Sequence, residues 1–237
     1  MTLVTDALSR AARQVSVTAP SSWLTATADE HVEIRDDFLL ETIDDIQERI
    51  DLPSPIGAVY SITGDGSETY ALPSQFKRLM RSNLAVYDSF LDQAVIPVTT
   101  EGDWTYLSDA GISGAARYYR LTGYPGSWSI SFQDAPTSSV QVKVSYVSTY
   151  WITNASASKS EFTDPGDTLL LPRRLVEAGV VWRWRERKGL DFTNKYQEYE
   201  AMISRLSNDA RGRKVVNFGN RPAIRWQDQI PSIIPTA

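Results

Sequence analysis

Residues 27–53, Thr27-Ala-Asp-Glu-His-Val-Glu-Ile-Arg-Asp-Asp-Phe-Leu-Leu-Glu-Thr-Ile-Asp-Asp-Ile-Gln-Glu-Arg-Ile-Asp-Leu-Pro53, decide how the chain is to be read. Val32, Leu39, Ile43, Ile46 and Ile50 recur at spacings of 7, 4, 3 and 4, a single apolar stripe at the helical period. The spacing predicts a helix from Thr27 to about Leu52, with Thr27-x-x-Glu30 as its capping box and Pro53 and Pro55 as its stop. At about 1.5 Å per residue it would be roughly 35 Å long. The same stretch is strongly acidic. Asp29, Glu30, Glu33, Asp36, Asp37, Glu41, Asp44, Asp45, Glu48 and Asp51 stand against Arg35 and Arg49, a net charge of −8 in a chain whose net charge is −5.

On the N-terminal side, residues 2–17 predict a shorter helix with Leu3, Ala7, Leu8, Ala11 and Val15 near one face, broken by Pro20. On the C-terminal side the period changes to two. Val140, Val142, Val144 and Tyr146 alternate with Gln141, Lys143 and Ser145, and Trp128, Ile130 and Phe132 alternate with polar residues. Gly57–Thr63, Trp104–Leu107 and Tyr118–Thr122 read as further strands. Gly64-Asp-Gly66, Glu101-Gly-Asp103, Gly123-Tyr-Pro-Gly126 and Asp134-Ala-Pro136 read as turns, and Leu72–Arg81 as a helical turn. Helix returns from Pro172 to about Lys188, ended by Gly189. Asp191 caps another, in which Phe192, Tyr196, Tyr199, Ile203, Leu206 and Ala210 form a stripe and which Gly212 closes. The last stretch, Arg213–Ala237, has three prolines and no sustained period, and reads as an extended arm.

The predicted fold class is α+β: a helical bundle of N- and C-terminal helices, an inserted antiparallel β domain and an extended C-terminal arm. The expected divisions are 1–54 and 168–212 for the bundle, 55–167 for the β domain and 213–237 for the arm.

Composition narrows the chemistry. The 237 residues contain no cysteine and one histidine, which excludes disulfides, thiolate catalysis, iron–sulfur clusters and any multi-histidine metal site. His31 reads as an exposed first-turn residue. There is no phosphate-binding glycine loop, HExxH or GxSxG, so catalysis would rest on carboxylates alone. No run approaches 18 apolar residues, and Asp6 and Arg10 interrupt the N-terminus, so the expectation is a soluble chain made and used without translocation.

Charge placement carries more. First-turn acids suit the helix dipole and account for Asp29, Glu30 and Glu33, but Asp44 through Asp51 lie at the end the dipole disfavours. The face is either solvated, or it meets cations or repels phosphate. Metal binding through Asp36, Asp37 and Asp44 lacks EF-hand spacing. Arg173, Arg174, Arg183, Arg185, Arg187 and Lys188 make the next helix basic. Its Trp182 and Trp184 point about 200° apart, which suits one core residue and one contact between helices or subunits, not a base-stacking platform. The arm mixes Arg211, Arg213, Lys214, Arg221 and Arg225 with Phe218, Ile224, Trp226, Ile230, Ile233 and Ile234. Such residues anchor interfaces, and the arm reads as docking onto a partner.

Several stretches together resemble the head-to-tail adaptor (connector) proteins of tailed bacteriophages, of the tail accessory factor or tubular adaptor type. They are Tyr119-Arg-Leu-Thr-Gly123, Trp128-Ser-Ile-Ser-Phe132, Val144-Ser-Tyr-Val-Ser-Thr-Tyr-Trp-Ile-Thr153, Phe162 through Leu175, Val181-Trp-Arg-Trp-Arg185 through Phe192, and Tyr196-x-x-Tyr-Glu200. The resemblance covers most of residues 1–212 and leaves the arm to inference. It implies a homo-oligomeric ring, a dodecamer, beneath the portal protein, which extends the DNA channel and offers a platform to tail or nozzle proteins. Double-stranded DNA would pass without sequence-specific binding. The implied location is the head–tail interface of a virion assembled in the host cytoplasm, with no cofactor, no catalytic residue, no metal and no membrane contact.

Within that frame the arm is expected to bind the portal. Asp37, Glu41, Asp44 and Glu48 are expected to face the channel, where carboxylates repel phosphate, or to face Arg183, Arg187 and Lys188 of a neighbouring subunit. The alternatives are a virion-associated wall hydrolase using two carboxylates, and a tail receptor- or carbohydrate-binding module with Trp104, Trp128 and Trp151 as sugar platforms.

Overall fold

Two clusters of buried apolar side chains organise the computed structural model, which describes residues 2–54, 56–110, 117–138, 140–155 and 157–210. In chain order the elements are β1 (Thr2–Leu3), α1 (Val4–Gln14), α2 (Asp29–Val32), a π-helical segment (Glu33–Phe38) and α3 (Leu39–Arg49). Strands β2 (Gly57–Thr63), β3 (Thr69–Ala71), β4 (Phe76–Leu79), β5 (Val86–Asp88), β6 (Gln93–Ala94) and β7 (Ile96–Pro97) lead to α4 (Glu101–Asp109). Then come β8 (Tyr118–Tyr124), β9 (Ser127–Phe132), β10 (Gln141–Ser148), β11 (Ile152–Asn154), β12 (Ala157–Lys159), β13 (Thr168–Leu169), α5 (Arg173–Arg187) and α6 (Thr193–Ala210). The fold is mixed α+β, and its strand pairs are antiparallel except β7 with β8.

Helix α5 is the axis of the first cluster. Leu175, Val176, Val180, Val181 and Trp184 meet Ala7, Leu8 and Ala11 of α1, Ile34 and Phe38 of the π segment, Ile43 and Ile46 of α3, and Tyr199 and Ile203 of α6. Gly179 lets α3 and α6 come close. A Cβ there would run into Thr42 Cγ2 and lie 2.9 Å from Thr42 Oγ1 and 3.0 Å from Tyr199 Cε2. Gly189, at φ +68°, ends α5 in a conformation that side chains disfavour.

The second cluster fills the space between two sheets, β2-β10-β5-β6 (with β4 also on β10) and β3-β9-β8-β7. Val142, Val144 and Tyr146 of β10 point inward while Gln141 and Lys143 are exposed, as the alternation predicts. The pairing register shifts between Val147 and Ser148, and Val147 turns into the helical cluster, so β10 belongs to both cores. Gln47 of α3 fixes the junction, its Nε2 donating to the Ser148 carbonyl at 3.0 Å. A third sheet, β1-β13-β11-β12, places Ile152 and Leu169 in the helical cluster.

Several sequence expectations are corrected. The acidic helix starts at Asp29, with Ala28 as N-cap and no side-chain cap, so Thr27 and Glu30 form no capping box. His31 instead lies 2.8 Å from the Thr18 carbonyl and packs edge-on against Trp23. The π segment shifts the stripe so that Ile34 and Phe38 are buried while Val32 is only half-buried. The first helix begins at Val4, because Thr2 and Leu3 pair with β13. Trp104–Leu107 is helical: Thr100 caps α4 by accepting from the Asp103 N–H at 3.1 Å. Leu72–Arg81 contains strand β4, which anchors the buried Phe76 against Tyr146. Pro172 is the N-cap of α5, one residue before the position expected of it.

Candidate functional site

The acidic helix is tied to its own chain along most of its length. Glu33 pairs with Lys188 at 2.8 Å, and Arg183 lies 3.6 Å from Glu41 and 3.5 Å from Asp45. On the other side Lys77 pairs with Asp44 at 2.7 Å, and Arg78 with Asp51 at 2.6 Å. Glu48 stands 4.0 Å from Lys77 and 3.9 Å from Arg78. Arg49 and Glu200 form a two-pronged pair at 2.7 and 2.6 Å, which holds the Glu200 carboxyl below the usual carboxylate range. The C-terminal acids of the helix, unfavourable for the dipole, are therefore stabilised by cations from β4 and α5.

Arg183 is the most connected of these cations. It donates to Thr42 Oγ1 at 3.1 Å and stacks over Trp182 at 4.4 Å and Tyr199 at 5.6 Å. Burial, and then the adjoining Asp45 that accepts its hydroxyl at 2.6 Å, push the Tyr199 phenol well above its ordinary value. Trp182 packs against Phe192, Tyr196 and Tyr199, while Trp184 is buried in the core; the two indoles serve packing.

The structure thus brings Glu41, Asp44, Glu48, Arg183 and Lys188 into contacts within one chain. Asp37 and Arg187 are exposed, with no ion pair among the described residues. Arg211, Arg213, Lys214, Phe218, Arg221, Arg225, Trp226, Ile230, Ile233 and Ile234 lie outside the described residues.

One cluster is not visible in the sequence pattern. Arg173 at the start of α5 pairs with the buried Glu177, and Arg174 beside it and Arg10 and Arg13 of α1, which packs on α5, add positive charge that acts on the same carboxyl. Arg173 Nε is 3.2 Å from Glu177 Oε1, yet burial pushes that carboxyl up against the pull of all four arginines. Arg10, Arg13 and Arg174 are exposed. The one signal for it is Pro172-Arg-Arg174, two cations in a first turn where the dipole disfavours them.

Two clefts share Leu40, Trp151 and Ser160. One of about 610 Å³ runs between α3 and the β8–β9 turn, and one of about 460 Å³ lies beside Arg35 and Phe162. Of the three candidate sugar-binding indoles, Trp128 and Trp151 both line the larger cleft, and Trp104 does not. Trp151 is buried with its Nε1 donating to the Ser160 carbonyl at 2.6 Å, Trp104 is covered by Arg120 at 4.6 Å, and Trp128 packs on Phe76. Among the described residues no group of three or more histidine, aspartate or glutamate side chains is arranged to hold a metal ion, and no helix is long and apolar enough to cross a membrane.

A family model described as SU10 adaptor protein matches residues 3–224. The chain belongs to the SU10 adaptor protein family. No curated protein matches it. Membership in the SU10 adaptor family supports a structural adaptor role in a bacteriophage particle. The match runs beyond residue 212, where the sequence resemblance stopped, and takes in Arg213, Lys214, Phe218, Arg221 and Ile224 of the stretch expected to be an arm.

Proposed function

We propose that the protein is a head-to-tail adaptor: a ring of twelve copies seated beneath the portal, extending the DNA channel and offering a platform to tail or nozzle proteins. The observation that carries this reading is the SU10 adaptor match over residues 3–224. The fold agrees with it. The ion pairs from α3 to β4, α5 and α6 cross-link the helical elements, as suits a structural part. The helical elements form the bundle, with the β cluster inserted between them, and residues 213–237 are the arm.

In this reading the arm docks on the portal. Phe218, Trp226, Ile230, Ile233 and Ile234 provide apolar anchors, while Arg211, Arg213, Lys214, Arg221 and Arg225 select an acidic surface. DNA passes through the assembled ring without base-specific contact. The chain's net charge of −5 keeps phosphate from sticking.

The experiment is deletion of Phe218–Ala237. The truncated subunit is expected to fold, and to lose binding to purified portal and the ability to complete heads. Normal head completion by the truncated protein would contradict the portal-docking arm.

A further inference from the structure

The described surface carries two exposed charge arrangements of opposite sign, each only partly balanced within its own subunit. The first is the arginine cluster over the α1–α5 seam. Arg173 pairs with Glu177 at 3.2 Å, Arg174 follows it in the same turn, and the α1 helix packed on α5 carries the exposed Arg10 and Arg13, which leaves an excess of positive charge along this seam. Two of these arginines stand in the first turn of α5, which contains no acid and whose N-cap makes no side-chain hydrogen bond. Cations at a helix N-terminus oppose the dipole, so an anionic partner would be stabilising there.

The second arrangement is the outer stripe of the acidic helix. Asp37, Glu41 and Asp44 follow at spacings of four and three, all exposed, with Leu40 at their centre 44% exposed. Asp37 has no ion pair among the described residues. Glu41 is 63% exposed and held only by a 3.6 Å contact to Arg183, and Asp44 is 74% exposed beside Lys77.

The two lie at different levels of one molecule. The acidic helix is fastened to α5 at Arg183 and Lys188, whereas the arginine cluster sits at Arg173 and Arg174, nine or more residues earlier. At about 1.5 Å per residue that is roughly 15 Å along α5, so the stripe and the cluster are separate, complementary patches. Complementary patches at different places on one subunit make a heterologous contact, which closes into a ring when the rotation allows.

We propose that copies of this chain join head to tail, with Arg10, Arg13, Arg173 and Arg174 of one copy meeting Asp37, Glu41 and Asp44 of the next around Leu40. The proposal rests on the ring reading above and names the surfaces that form its seam. Arginine stems cover the apolar centre while their guanidinium groups reach carboxylates on either side. Arg183 and Lys188, whose side chains are bound to their own acidic helix, are not part of the seam.

The test uses the full-length protein and two charge reversals, R10E/R174E and D37K/E41K, with assembly followed by mass photometry from low to high salt. Circular dichroism is expected to show both variants folded, since all four side chains are exposed. Alone, each variant is expected to need at least about tenfold more protein for half-assembly than the wild type, because like charges then face each other. Mixed one to one, the reversed faces match again, and assembly is expected to return in alternating rings. Wild-type-like assembly of either variant alone, or no recovery on mixing, would overturn the seam. The seam is equally overturned if R10E/R174E assembles normally and loses affinity only for a labelled DNA duplex. A wild type that stays monomeric at every concentration, with and without portal, would instead overturn the ring reading itself.

Discussion

Charged side chains are used differently in the two halves of the molecule. In the helical half they cross-link elements: Arg183 joins α5 to α3, Arg49 joins α3 to α6, and Lys77 and Arg78 join β4 to the acidic helix. Most of these groups keep some contact with water, and each cation has more than one acceptor nearby. Between the two sheets of the β cluster the facing side chains are apolar, and the charge buried beside them is that of Asp88 and Arg117, 3.0 Å apart and almost wholly withdrawn from solvent. A network tolerates the loss of one member, whereas an isolated buried pair does not.

The largest effect is expected from breaking the isolated pair. Asp88→Ala leaves the Arg117 guanidinium buried, and also removes the carboxylate that accepts from the Phe90 N–H at 2.8 Å and the Leu91 N–H at 3.1 Å. Denaturant unfolding should show a loss of about 4 kcal/mol. A loss below about 1 kcal/mol would show that Asp134, 3.9 Å from Arg117, takes over the charge.

Arg183→Met comes next, at about 2 kcal/mol, because the hydrogen bond to Thr42 and the stacking on Trp182 are lost while the aliphatic stem is kept. Its cost should stay below that of Asp88→Ala if the helical network shares its load.

Gly179→Ala should destabilise by about 1 kcal/mol. Better helix propensity offsets part of the crowding against Thr42, whose hydroxyl is held by the Phe38 carbonyl at 2.6 Å and by Arg183. A stabilised variant would mean that α3 can draw back from α5.

The smallest effect concerns pH. Arg49 holds Glu200 below the usual carboxylate range, and in Asp167 the pull of Lys159 and two backbone N–H groups outweighs burial. The stability these groups contribute is present above the unfolded carboxylate pKa and lost as pH falls through their lower folded values. Glu177 has the opposite sign: burial raises it, so its contribution is lost as pH rises through the folded value. Glu200→Gln should therefore reduce the acid-side loss, and Glu177→Gln should flatten the slope above the ordinary glutamate range. Each change is below about 1 kcal/mol in thermal unfolding across pH.

Periodicity makes the long elements legible. The stripe of α3, the run of α5 to Gly189 and the alternation in β10 rest on many residues each, so local pattern and burial agree. Short elements are not legible in this way. Trp104 and Tyr106 alternate like a strand, but the Thr100 cap and the absence of buried residues leave them on an exposed helix. Local pattern places Phe76 in a helical turn, because β4 gains its identity only from pairing with β10, about seventy residues away. The π segment has no periodic signal of its own, and it moves Ile34 and Phe38 into the core. The acidity of the helix is plain in the sequence, but its partners are not. Lys77 and Arg78 lie in an unremarkable stretch, and Arg10 and Arg174 come to act on one carboxyl only through the packing of α1 on α5. Total charge can be counted in a sequence, whereas charge pairing is a property of the fold.

The most direct measurement is electron microscopy of the purified full-length protein, alone and mixed with portal. Closed rings that stack on portal, with the α1–α5 arginine cluster of one subunit against the acidic helix of the next, are the predicted result. Monomers that leave portal bare, or rings in which Asp37, Glu41 and Asp44 line the channel away from any subunit seam, would contradict it.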